Sequence, residues 1–113
     1  MKVLHLTLKK KWFDMVGNGK PEEYREVKPY WIRRLLYDSF QLNAPLNGRV
    51  LVNKYEWRKP IEFDIVEFKN GYGKNSPIKR FEWGGLEKRT GNPEWGAVPN
   101  EEYFVIKLGD KLP

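Results

Sequence analysis

Apolar and polar positions alternate from Met1 to Leu8, with Leu4, Leu6 and Leu8 on one side and Val3 and His5 on the other. This period of two predicts a half-buried strand that Thr7 can end. The period then changes: Leu8, Trp12, Met15 and Val16 recur at helical spacing while Lys9, Lys10 and Lys11 stay on the polar side. A short amphipathic helix is predicted over 8–16, closed by Gly17-Asn18-Gly19, whose residues tolerate positive φ. Alternation returns over 22–27, where Glu23, Arg25 and Val27 share one face and Glu22, Tyr24 and Glu26 the other. Pro29 suits the first position of a helix running to about Phe40, with Trp31, Leu35, Leu36 and Phe40 as its apolar stripe and Arg33 and Arg34 outward.

Beyond a loop over 41–49 that holds Asn43, Pro45, Asn47 and Gly48, short strands are predicted at 49–53, 61–68, 78–83 and 103–108. In the second of these, Val66 and Phe68 slip the apolar parity, which reads as a bulge or as burial on both faces. Residues 70–75 form a turn-rich loop, and 84–96, with four glycines, reads as irregular. Five or six strands with two helices in the N-terminal half predict an α+β fold, a small β-barrel with the helices packed outside it.

The chain has 113 residues, which is room for one domain. It has no cysteine, which excludes disulfides, thiol nucleophiles and Cys-ligated metals. His5 is the only histidine and lies in the alternating run, so it reads as a strand residue; no pattern calls for a metal or cofactor. No long apolar run or leader pattern is present, so no membrane association and a cytoplasmic location are expected. The net charge of +6 favours a polyanionic partner. The surplus belongs to the first half: residues 1–60 hold 13 basic and 6 acidic side chains, and residues 61–113 hold 8 and 9.

The segment Asn18 to Glu26 concentrates the candidate chemistry. A flexible turn presents Lys20, expected to be exposed, and the next strand aims Glu23 and Arg25 toward a partly apolar interior. Groups of this kind persist when paired or liganded. They read either as an internal ion pair that fastens the strand, or as a pocket in which Lys20 and Arg25 hold a phosphate or base edge and Glu23 orients or protonates a ligand. The loop offers the Asn70 amide to a base, Tyr72 as a stacking platform and Lys74 to a phosphate, or is a plain turn with a packed tyrosine. Lys9, Lys10, Lys11, Arg33 and Arg34 read as an electrostatic track or as a solvated face. Trp12 and Trp31 sit at core spacing, and at least one of Trp57, Trp83 and Trp95 is expected at the surface.

A strand, a short helix, a Gly-containing turn and then K-x-x-E-x-R at Lys20, Glu23 and Arg25 resemble the ASCH domain, a branch of the PUA-like superfamily. The stretches from Tyr24 to Trp31, Phe68 to Lys74 and Glu102 to Leu108 are similar to those of small single-domain phage and bacterial ASCH proteins. The resemblance implies a PUA-like barrel and a motif-lined cleft that binds RNA or a modified nucleoside. Two positions depart from the pattern. Asn18 stands where the family has glycine, and Glu23 stands where a related hydrolase group has a threonine nucleophile, so slow or undetectable hydrolysis of acylated cytidine is expected.

Three readings stand side by side. The first is an RNA- or nucleotide-binding domain using Lys20, Glu23, Arg25, Asn70, Tyr72 and Lys74. The second is a metal-independent hydrolase of a modified nucleoside or phosphodiester, with Lys20 and Glu23 catalytic. The third is a basic accessory protein that docks an acidic protein.

Overall fold

The computed structural model describes residues 1–37, 49–53 and 56–113. The first alternation forms β1 (Val3–Leu8), in which Leu4, Leu6 and Leu8 are buried and His5 is exposed. The helix that follows, α1 (Lys10–Met15), buries Phe13 and stops where Val16 turns extended. Next come β2 (Glu22–Glu26), α2 (Pro29–Leu35), β3 (Val50–Asn53), β4 (Glu56–Arg58), β5 (Ile65–Asn70), β6 (Ile78–Thr90) and β7 (Glu102–Lys111).

Five strands form one curled sheet in the order β1-β5-β6-β7-β2, a half-barrel. β1 runs parallel to β5, and the other pairs are antiparallel. Among the described residues no backbone ladder joins β1 to β2, so the two are the edges of the sheet, and the barrel-like curl is open there. β3 and β4 make a separate two-stranded sheet.

Register decides what each face carries, because directly opposed residues point the same way. Leu4 and Leu6 oppose Val66 and Phe68, while Arg25 and Glu23 oppose Phe104 and Ile106. The main core, with Phe13, Leu35, Val50 and Val52 packed on it, therefore lies on the face that also receives Glu23 and Arg25. The opposite face of β2 and β7 holds a smaller cluster of Tyr24, Tyr103, Val105 and Ala97.

Four predicted boundaries are corrected. α2 ends at Leu35 because Leu36 becomes extended and bridges to Pro60; Phe40 and the predicted loop residues Asn43, Pro45, Asn47 and Gly48 lie outside the described residues. The strand expected from Ile61 begins at Ile65, since the Ile61 and Asp64 amides donate to Leu35 and Lys2 rather than to a ladder, so the parity slip marks the true start of β5. The segment 84–90, expected to be irregular, continues β6 through a bulge. There a Cβ on Gly84 would meet the Lys107 carbonyl oxygen at 2.7 Å, and Gly85 has φ +108°. The last strand extends to Lys111. No helix among the described residues is long and apolar enough to cross a membrane.

Candidate functional site

The turn after α1 determines where the motif points. The Met15 carbonyl accepts from the amides of Asn18 and Lys20, and Val16 bridges to Lys20. Positive φ falls on Gly17 and Gly19, so the glycines supply the left-handed positions and Asn18 instead donates its side-chain amide to the Asp14 carbonyl. A Cβ on Gly17 would lie 2.9 Å from the Phe81 ring. This close fold-back turns Lys20 inward.

Lys20 is 1% exposed, which corrects the expectation of an exposed side chain. Its Nζ donates to Glu23 Oε1 at 3.1 Å and lies 4.9 Å from the Trp12 ring centroid. Glu23 Oε1 also accepts from the Tyr24 amide at 2.8 Å. The other oxygen, Oε2, is buried without a hydrogen-bond partner among the described residues and stands 3.6 Å from Arg25 Nη1, an ion pair too long to be a hydrogen bond. Arg25 donates to two backbone carbonyls, Tyr24 at 2.7 Å and Thr7 at 3.3 Å. Burial lowers the Arg25 pKa, and the Glu23 carboxylate opposes that shift.

Trp31 gathers the cations of α2 and β2. The guanidinium carbons of Arg25 and Arg34 each lie 5.1 Å from its ring centroid, and Arg34 Nη2 donates to the His5 carbonyl at 3.0 Å. Tyr30 meets Trp31 edge-on at 4.9 Å. These groups wall a cleft of about 620 Å³ along the free edge of β1, together with Lys9, Trp12, Tyr72 and Trp95.

A second network fixes the wall that carries Trp95. Glu22 Oε1 and Oε2 accept from Arg89 at 2.6 and 3.1 Å, Tyr24 donates to Glu22 Oε2 at 2.6 Å, and the Asn92 amide donates to the Tyr24 hydroxyl at 2.9 Å. Burial and the bond to Glu22 push the Tyr24 hydroxyl up to about 12. Burial would raise Glu22, but Arg89 and Tyr24 outweigh it and hold the carboxyl below its ordinary value. The short turn Pro93–Trp95 that follows ends at Gly96, whose backbone sits against Trp12.

The structure brings together Lys20, Glu23, Arg25, Tyr72, Lys9 and Arg34 around this cleft, and separates the other candidates from it. Asn70 closes β5 opposite Leu8 with its backbone N–H donating to the Pro77 carbonyl, and neither it nor the exposed Lys74 lines the cleft. Tyr72 is 92% exposed, so it is not a packed turn residue. Lys10 pairs with Asp14 at 2.6 Å, Lys11 covers Trp12 at 4.6 Å, and Arg33 is exposed away from the cleft, so the expected track divides. His5 is a strand residue whose Nδ1 lies 3.1 Å from Glu67 Oε1. Of the three later tryptophans, Trp57 is half exposed.

Tyr30, Trp95 and the cleft-facing role of Trp12 and Trp31 were not legible as site features. A signal existed for Trp31, since Arg34 follows at the i,i+3 spacing that places a guanidinium over a ring. For Trp95 there was none, because its approach depends on the Tyr24 to Asn92 bond. Among the described residues no cluster of three or more His, Asp or Glu side chains is arranged to hold a metal ion. Comparisons with protein-family models, curated proteins and solved structures give no match.

Proposed function

We propose that the protein binds single-stranded RNA or a nucleotide in the cleft between the free edge of β1 and α2. The observation that carries this reading is the convergence of two guanidiniums, Arg25 and Arg34, with aromatic rings in one concavity of about 620 Å³. That size suits one nucleotide unit. Guanidiniums supply a planar grip on phosphate, and exposed rings such as Tyr72 supply a face on which an unstacked base can lie. The resemblance of the motif-bearing segments to PUA-like ASCH domains supports the same reading.

Within it, the motif divides its labour. Lys20, covered by Trp12 and held by Glu23, positions the carboxylate, while Arg25 meets the ligand. Lys20 is thus a positioning residue, and the motif acts in binding more than in turnover. Fluorescence anisotropy of a labelled oligoribonucleotide tests the proposal. Affinity should fall by roughly 0.7 log units per decade of salt for each phosphate neutralised. Absence of binding at low salt, or binding unchanged in an Arg34→Glu variant, would overturn it.

A further inference from the structure

The two oxygens of Glu23 are in different states. Oε1 accepts from Lys20 Nζ and the Tyr24 amide, so its capacity is used. Oε2 has no hydrogen-bond partner among the described residues, although it belongs to a side chain 5% exposed that lines the cleft. A buried carboxylate oxygen without a hydrogen-bond partner is costly, and one already stripped of water is a strong acceptor for a donor that reaches it. Its neighbour is a donor: Arg25 uses two of the five N–H groups of a guanidinium on the Tyr24 and Thr7 carbonyls. Acceptor and donor thus stand side by side at 3.6 Å.

From this pair we infer that the cleft selects a base with a ring N–H beside a carbonyl, the edge shared by uracil and guanine. The inference rests on the nucleotide-binding reading above. Glu23 Oε2 accepts the ring N–H and Arg25 donates to the adjacent carbonyl oxygen, once the guanidinium moves outward from its long contact with the carboxylate. Cytosine and adenine present a ring-nitrogen lone pair at that place, which faces the carboxylate oxygen repulsively. Because Oε1 is engaged, guanine gains no second bond from its exocyclic amine, so uracil and guanine are bound alike.

Titration of the native protein with UMP, GMP, CMP and AMP, followed by tryptophan fluorescence, tests this. UMP and GMP should bind with similar affinity and at least tenfold more tightly than CMP and AMP. 3-Methyl-UMP, which lacks the ring N–H, should bind at least tenfold more weakly than UMP, while 5-methyl-UMP, with the same methyl placed elsewhere, should keep its affinity. A Glu23→Gln variant shown to be folded by its thermal transition should lose the distinction between UMP and 3-methyl-UMP. Equal affinity for all four nucleotides, a preference for CMP or AMP, or indifference to methylation at the ring N–H overturns the selection while leaving nucleotide binding in place. Failure of every nucleotide and of the oligoribonucleotide to bind at low salt overturns both.

Discussion

Arg25 and Thr7 belong to opposite edges of one sheet, and Arg25 Nη2 donates to the Thr7 carbonyl oxygen at 3.3 Å. A side chain thus spans the gap where a closed barrel would have a backbone ladder. Arg25→Lys keeps the charge but loses the planar fork that reaches Tyr24 and Thr7 together. It should cost roughly 1–3 kcal/mol in stability, read by urea denaturation, and weaken RNA binding beyond the loss of folded protein. Wild-type behaviour in both assays would remove Arg25 from both roles.

Lys20 and Glu23 form a buried ion pair, and removing one partner of such a pair leaves a buried charge at a cost of about 3–5 kcal/mol. Lys20→Met should therefore lower the melting temperature substantially. The double variant Lys20→Met, Glu23→Gln, which removes both charges, should be more stable than Lys20→Met alone. The ordering of the two denaturation midpoints checks the coupling.

Tyr24 gives a pH window with a definite sign. Its hydroxyl is pushed up to about 12 from an ordinary value of 10.0, so the folded chain holds that proton more tightly than the unfolded chain. The associated stability, on the order of 3 kcal/mol, is fully present below pH 10 and is lost as pH rises through 12. Glu22 acts at the other end: its lowered pKa contributes stability above its ordinary value of 4.5, lost as pH falls through the folded value. In Tyr24→Phe the alkaline decline should be reduced, as measured by chemical denaturation between pH 9 and pH 12.

The cleft and the remote lysines should differ in salt response. Arg34→Glu should reduce the slope of log affinity against log salt by roughly 0.7 or more, the value for one phosphate contact on a single strand. Lys10→Glu, at a position paired with Asp14 and outside the cleft, should change it less. Equal effects from the two would place the anionic ligand on a diffuse surface instead of the cleft.

Periodicity was a sound guide where one face of a strand is simply apolar. Leu4, Leu6 and Leu8 are buried as their alternation predicts, and Glu23 and Arg25 share the core-bearing face as their parity predicts. It failed where a distant contact overrides local pattern. Gly84 and Gly85 read as punctuation, yet the missing side chain at Gly84 admits the β7 backbone and β6 continues. Lys20 follows a glycine turn and reads as exposed, but its burial depends on Trp12 and Glu23 closing over it in three dimensions. The motif residues were thus visible in sequence, while the layer of rings that holds their charges was only partly so.

The connectivity also sets an order of assembly. Val3 pairs with Ile65, and Glu22 pairs with Lys107, so both edges of the sheet come from residues 3–26 and wait for partners made much later. During synthesis from the N-terminus, Lys20, Glu23 and Arg25 emerge early but have no strand to lie against until the segment 102–111 arrives. Pairings of such long separation are slow to form, because loop closure precedes the contacts that compensate it. The cleft therefore takes shape only once residues 102–111 are present, and a nascent product that lacks them presents Lys20, Glu23 and Arg25 without the strand that positions them.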